Sequence, residues 1–190
     1  MIQPVIIVSG LPRSGTSLMM QMLAAGGIDI CIDNRREPDN DNPKGYYEFE
    51  KVKELQKDSV WVHTMRGKAM KVISFLLYYL PVSLQYKVIF MQRDLQEILL
   101  SQKKMLDRSG QRTHTLKDEV LAQKFETHLQ KITKWITTQK NIECLYVSYN
   151  AILEDPLPYI HDIQTFLQRP IDVEGMASVV DSSLYRNRQK

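Results

Sequence analysis

The amino-acid sequence predicts an α/β fold in which a mostly parallel sheet lies between two layers of helices. Short apolar runs, typical of buried strands, alternate with longer segments of helical period along the 190 residues. The first predicted strand also leads through a glycine-containing loop directly into a helix, which is how a right-handed crossover begins. The length fits one domain, residues 1–190, with a core that needs no disulfide or metal.

The predicted strands are short apolar runs bounded by turn-forming or charged residues. The first contains Val5 to Val8 without a polar residue, and the others have the same β-branched and aromatic character. In chain order the predicted strands are 4–9, 28–31, 69–74, 87–92 and 143–147.

The predicted helices have apolar residues three and four positions apart. The first is closed by two glycines, Gly26 and Gly27. In chain order the predicted helices are 16–25, 48–58, 75–80, 95–106, 116–139 and 157–168. Because strands and helices alternate, we expect parallel strands with ligands bound beyond their carboxyl ends.

The loop after the first strand, residues 10–17, has the sequence GLPRSGTS. It matches the phosphate-binding template G-x-x-x-x-G-K-[ST] except that Thr16 replaces the lysine. The following helix directs backbone N–H groups and the positive end of its dipole at this loop, and Arg13 can supply the missing cation. The sequence predicts an anion site on a fold like that of the P-loop nucleotide hydrolases. The alternative is a tight turn with Arg13 in solvent.

A second anion site is predicted where strand 87–92 ends. Arg93 follows that strand, and Ser101 lies eight residues later in the next helix. Two helical turns bring Ser101 back to the face on which the helix begins, so the arginine and the hydroxyl could hold one phosphate together. The alternative is a surface pair between Arg93 and Asp94 or Glu97, with Ser101 in solvent.

Together, the two predicted anion sites resemble those of the sulfotransferases that use 3′-phosphoadenosine-5′-phosphosulfate (PAPS). The similarity extends over nearly the whole chain, to the tail at 180–188. The resemblance implies a loop that holds the 5′-phosphosulfate and an arginine–serine pair that holds the 3′-phosphate. By this resemblance the residues that bind the donor are Arg13, Ser14, Gly15, Thr16 and Ser17 at the 5′ end, and Arg93 and Ser101 at the 3′-phosphate.

The resemblance implies an enzyme that moves a sulfuryl group by in-line displacement to a hydroxyl or amine. A transferring sulfuryl group carries less negative charge than a γ-phosphoryl group, so an arginine and backbone donors can suffice and no metal is predicted. The acceptor is a small molecule, sugar, lipid or peptide. Two alternatives stay open: an ATP-dependent small-molecule or nucleotide kinase with a degenerate loop, and a non-catalytic relic that only binds the donor.

Attack by the acceptor requires a general base, and relatives in this family use a glutamate or a histidine. Glu48 is the first candidate, because residues 42–48 resemble a segment of bacterial sulfotransferases. Glu37 is the second, at roughly the position of a glutamate in tyrosyl-protein relatives, and His63 is the third. Arg13, which supplies the positive charge of the loop, is also predicted to be a catalytic residue.

Lys71 lies inside the predicted strand 69–74, and two roles are open to it. Side-chain alternation favours a solvent-facing position on an edge strand. The alternative is a cleft-facing ammonium that stabilises charge on the bridging oxygen as the donor leaves.

Two polar segments, 33–47 and 107–115, are rich in turn formers and are predicted to shape the acceptor site. The tail contains Arg186 and Arg188, for which a solvated, mobile position is predicted, with closure over the donor as the alternative.

The composition suits a globular protein with an anionic ligand. Lys and Arg number 25 against 22 Asp and Glu, and a net charge of +3 is too small to indicate nucleic acid. Cys31 and Cys144 lack metal-ligand spacing and are predicted to be reduced. Without a membrane-spanning apolar run or a basic leader, we expect a cytoplasmic protein.

Overall fold

A parallel sheet forms the centre of the computed structural model, which describes residues 3–33, 35–39, 42, 44–108 and 118–181. The strands in this part of the chain are β1 (Val5–Gly10), β2 (Ala69–Lys71), β3 (Tyr86–Gln92) and β4 (Ile142–Ser148). Their order is β2-β1-β3-β4, and all neighbouring pairs are parallel. This confirms the predicted α/β fold with a parallel sheet.

The helices differ from the prediction mainly between β1 and β3. The α-helices of the described residues are α1 (Thr16–Ala25), α2 (Leu95–Arg108), α3 (Asp118–Thr138), α4 (Tyr149–Glu154), α5 (Pro156–Leu167) and α6 (Val173–Ser178). Three short 3₁₀ helices cover Glu50–Glu54, Val60–Met65 and Ser74–Tyr79.

Three predicted elements between α1 and β3 are wrong. The strand 28–31 forms only one parallel bridge, between Ile30 and Ala69, because β2 beside it is three residues long. The helices 48–58 and 75–80 are 3₁₀ turns instead of α-helices. Helices this short gain little from backbone hydrogen bonds, so packing against the sheet decides their form.

The two faces of β1 separate two hydrophobic clusters. Ile6 and Val8 face a cluster that includes residues of α1, α5 and α6. Val5 and Ile7 face a second cluster that includes residues of the 3₁₀ helices and of α3. The alternation of side chains along a buried parallel strand therefore produces the three layers.

The position of β1 between β2 and β3 determines where this fold can bind a ligand. From β1 the chain passes to β2 on one side, and then to β3 on the other side. In parallel sheets, ligands bind where two neighbouring strands lead their connections in opposite directions. The loop after β1 and the start of α2 after β3 border this crevice.

A small third cluster fixes α2 against the loop between β1 and α1. Leu11 of the loop packs with Ile98 and Leu99 of α2 and with Phe125 of α3. This contact holds the cleft-facing side of α2 close to the loop. No helix within the described residues is both long and apolar enough to span a membrane.

Candidate active site

The loop between β1 and α1 is held in a conformation that requires its glycines. Gly10 and Gly15 have φ angles of 145° and 97°. A Cβ on Gly10 would lie 2.4 Å from Ser14 Oγ, and one on Gly15 would lie 2.2 Å from the ring of Tyr149. Arg13 has a φ of 71°, which is unusual for a residue with a side chain and is typical of functional sites.

The N-terminus of α1 is arranged to receive an anion. Gly15 precedes the helix, no side chain caps its first turn, and no acidic residue lies in that turn. The backbone N–H groups of Thr16 and Ser17 therefore point with the positive end of the helix dipole into the cleft. The Oγ of Ser14 is buried and has no hydrogen-bond partner among the described residues.

The structure brings the two predicted anion sites into contact. Nε of Arg13 donates a hydrogen bond to Oγ of Ser101 at 2.9 Å. Nη1 of Arg93 donates to the carbonyl oxygen of Arg13 at 3.1 Å. The loop after β1, the end of β3 and α2 thus meet at one place, as expected for the carboxyl edge of a parallel sheet.

The alternative of a surface pair at Arg93 with Ser101 in solvent is wrong, because all of these side chains are buried. Arg93 does pair with Glu97, at 3.0 Å, but the two side chains are only 7% and 4% exposed. Ser101, expected in solvent by the same alternative, is 3% exposed. Arg93 and Ser101 both line the cleft. Their side chains are therefore buried in its wall and do not point into solvent.

Lys71 does not have the solvent-facing position that strand alternation favours. It is 8% exposed, because residues 44–48 cover the end of β2. Its Nζ donates to the carbonyl oxygen of Tyr46 at 2.5 Å, to Oε1 of Glu48 at 3.3 Å and to Oγ of Ser17 at 3.4 Å. Burial lowers the pKa of this ammonium, and the neighbouring Glu48 carboxylate partly offsets that effect.

Glu48 lies in the cleft together with the loop between β1 and α1. Its side chain is 25% exposed and accepts hydrogen bonds from Lys71 and, at 3.4 Å, from Nη1 of Arg36. The Arg36 guanidinium stacks on the ring of Tyr46, 3.3 Å from the centroid. Burial, together with the hydrogen bond to Asp39, raises the pKa of Tyr46 to about 12. The phenol therefore stays protonated and cannot serve as the base.

The other two candidate bases lie outside this cleft. Glu37 lines a smaller neighbouring pocket of about 240 Å³, which shares Arg36, Tyr46 and Glu48 with the cleft. The ring of His63 is exposed and contacts the carbonyl oxygen of Val60 and the hydroxyl of Ser83. The structure thus places Glu48, and neither alternative, next to Lys71 and the loop.

The cleft has a volume of about 300 Å³ and a strongly cationic lining. Its charged lining residues are Arg13, Arg36, Lys44, Lys71, Arg93, Lys104 and Arg108, with the acids Glu48 and Asp181. This excess of positive charge suits a ligand with several negative groups. Among the described residues, no group of three His, Cys, Asp or Glu side chains could hold a metal ion.

Several residues that line the cleft are not among the site residues predicted from the sequence. Lys104 and Arg108 could have been found, since they lie three and seven positions after Ser101 on one face of α2. Tyr149 directly follows β4, where another strand end reaches the same edge. Tyr46 carries no such signal, because it depends on the course of an irregular loop.

Parts of three predictions lie outside the described residues. These are most of the polar segment 107–115, four positions of the segment 33–47, and the tail residues Arg186 and Arg188. In the segment 33–47, Asn42 donates to Oγ of Ser17 at 2.9 Å.

The family described as sulfotransferase domain matches residues 3–190. The chain belongs to the sulfotransferase domain family. Its membership confirms the resemblance expected from the loop at 10–17 and from Arg93 with Ser101.

Solved structures of sulfotransferases share the fold of this family member. The sulfotransferase domain from the curacin biosynthetic pathway is 12% identical with a TM-score of 0.58, and the match covers 99% of this chain and 92% of that one. A sulfotransferase from Alicyclobacillus acidocaldarius is 13% identical with a TM-score of 0.50, covering 99% and 98%.

A mouse sulfotransferase in complex with PAP is 16% identical with a TM-score of 0.55. The match covers 94% of this chain but 62% of the mouse chain, so this sulfotransferase domain spans less than two thirds of the mouse protein. No curated protein sequence matches the chain significantly.

Proposed function

We propose that this protein transfers a sulfuryl group from PAPS to a hydroxyl or amine acceptor. The observation that carries the proposal is the meeting of two anion sites in one cleft. One is the uncapped N-terminus of α1, and the other is formed by Arg93 and Ser101, with Arg13 between them. The complex of the mouse sulfotransferase with PAP supports the same donor class.

In this proposal the donor spans the cleft from α1 to α2. The 5′-phosphosulfate accepts hydrogen bonds from the backbone of Gly15 and Thr16 and from the hydroxyls of Ser14 and Ser17. The 3′-phosphate binds Arg93 and Ser101. Arg13, already within 2.9 Å of Ser101, supplies positive charge between the two phosphate positions.

The proposed reaction is a displacement at sulfur. The acceptor oxygen or nitrogen forms a bond to sulfur, while the bond from sulfur to the bridging oxygen breaks. The acceptor's proton passes to Glu48, and the bridging oxygen leaves with the adenosine 3′,5′-bisphosphate. Lys71, which contacts both Ser17 and Glu48, is placed to stabilise the negative charge that develops on that oxygen.

The acceptor would enter beside Glu48. The smaller pocket of about 240 Å³ adjoins the cleft there, and Tyr46 and Tyr47 contribute to its walls. This pocket suits one moiety of a small molecule, sugar, lipid or peptide. Residues 35–39 and 44–48 therefore determine which acceptor reaches the base.

Calorimetric titration tests the proposed donor. The wild-type protein should bind adenosine 3′,5′-bisphosphate more tightly than 5′-AMP or ATP with magnesium. Arg93→Ala removes charge-assisted hydrogen bonds worth about 1.5–3 kcal/mol, so the Kd for the bisphosphate should rise roughly 10- to 100-fold. The Kd for 5′-AMP should change little.

Arg169→Ala is the matched control for this titration. Arg169 donates to the carbonyl oxygen of Gly67 at 3.1 Å and does not line the cleft. Its replacement should leave the Kd for the bisphosphate unchanged. Tighter binding of ATP with magnesium than of the bisphosphate would contradict the proposal and favour a kinase.

A further inference from the structure

We propose that Glu97 is a positioning residue that holds Arg93 in the orientation required for the donor's 3′-phosphate. This inference rests on the proposed function, since it concerns the same nucleotide. Glu97 does not line the cleft. It would therefore act through Arg93 and not by touching the ligand.

The guanidinium of Arg93 is held on three sides. Its Nε donates to Oε2 of Glu97 at 3.0 Å, and its Nη1 donates to the carbonyl oxygen of Arg13 at 3.1 Å. Its plane lies over the ring of Tyr149, 4.5 Å from the centroid. These contacts fix both the position and the rotation of the guanidinium, while Arg93 still lines the cleft.

Glu97 is itself held by a residue of α4 and by the start of its own helix. Its Oε1 accepts a hydrogen bond from Nδ2 of Asn150 in α4 at 3.2 Å. Its backbone N–H donates to Oδ1 of Asp94 at 3.1 Å, which fixes the first turn of α2. An acid in that first turn is also favoured by the helix dipole. The carboxylate thus connects α2, the end of β3 and α4.

The burial of this pair indicates preorganisation for a ligand. A buried ion pair often adds little to stability compared with apolar residues of the same size, so stability alone does not explain its presence. An arginine side chain has considerable rotamer freedom, which is lost when it binds a phosphate. If Glu97 already holds Arg93, that entropy has been lost before the nucleotide arrives.

A competing effect has the opposite sign. The negative charge of Glu97 lies close to the proposed 3′-phosphate position and would repel it, so its removal could strengthen phosphate binding. Preorganisation predicts weaker recognition of the 3′-phosphate after the replacement of Glu97, and repulsion predicts stronger recognition. One ratio therefore distinguishes the two effects.

The experiment measures the Kd for 5′-AMP divided by the Kd for adenosine 3′,5′-bisphosphate. In Glu97→Ala this ratio should fall by about 10-fold, and in Glu97→Gln, which keeps an acceptor for Nε, by roughly 3-fold. The Kd for 5′-AMP should stay within about 2-fold, because the N-terminus of α1 is untouched. A general loss of structure would instead weaken both ligands.

Glu143→Gln is the control, since Glu143 pairs with the buried Lys87 at 3.8 Å and lies outside the cleft. Its ratio should equal that of the wild type.

An unchanged or increased ratio in Glu97→Gln would overturn the inference. If Glu97→Ala does not fold, Asn150→Ala, which removes the Nδ2 bond to Oε1 of Glu97, should still lower the ratio. A wild-type ratio near one would refute the proposed function, and this inference with it; a normal wild-type ratio that Glu97 does not affect refutes this inference alone.

Discussion

Glu48→Gln should lower kcat by about 10²- to 10⁴-fold, the usual contribution of a general base. The amide keeps the size of the side chain and can still accept a hydrogen bond from Lys71, but it cannot take the acceptor's proton. Binding of the nucleotide should change little, because Glu48 faces the acceptor side of the cleft. The measurement is turnover of PAPS with 4-nitrophenol, or with whichever member of a panel of phenols, sugars and amines is sulfated.

His63→Gln is the matched control for this prediction. His63 is exposed and lies outside both pockets, so this variant should keep kcat within about 3-fold of the wild type. Glu37→Gln tests the competing carboxylate, because Glu37 lines the proposed acceptor pocket. A large loss of kcat in Glu37→Gln, with near-normal turnover in Glu48→Gln, would show that the base has been assigned to the wrong carboxylate.

Lys71→Met should lower kcat by roughly 10²- to 10³-fold, as the loss of a preorganised donor at a developing charge usually does. The methionine fills much of the volume but offers no ammonium to the leaving oxygen. Lys87→Met is the matched control. Lys87 is equally buried, but it lies near the start of β3, donates to the carbonyl oxygen of Phe166 and does not line the cleft. Equal losses in the two variants would contradict a catalytic role for Lys71.

The pH profile of kcat/KM provides a second measurement on Lys71. The proposed role needs the charged ammonium, and burial lowers its pKa from the ordinary value of 10.5. Activity should therefore be present at lower pH and fall as the pH rises through the lowered pKa, at a pH below 10.5. In Lys71→Arg, whose guanidinium does not deprotonate in this range, that alkaline limb should disappear. A limb that persists would belong to another group.

The part of the fold that the sequence predicts well is the part with strong local signals. β3 and β4 lie within two residues of the predicted strands, because each is a short apolar run with strand-forming residues. β3 is buried along nearly its whole length, whereas β4 at the end of the strand order is mostly only half-buried. The long amphipathic helix α3 is predicted equally well. The segment 28–31 fails because an apolar run needs a partner strand, and β2 is too short to provide one.

The candidate site divides in the same way. The loop at 10–17 and the pair of Arg93 and Ser101 follow from spacing, since strand ends and helical turns fix their positions. The burial of Lys71 does not follow, because it depends on residues 44–48 folding over β2. The contact of Arg93 with Tyr149 joins distant segments that no local pattern connects.

In the proposed function, one cleft binds both phosphates of the donor nucleotide. A crystal structure with adenosine 3′,5′-bisphosphate bound tests it most directly. We expect the 3′-phosphate within hydrogen-bonding distance of Arg93 and Ser101, and the 5′-phosphate at the backbone N–H groups of Gly15 and Thr16. A nucleotide bound elsewhere, or with its 3′-phosphate remote from Arg93, would contradict the account.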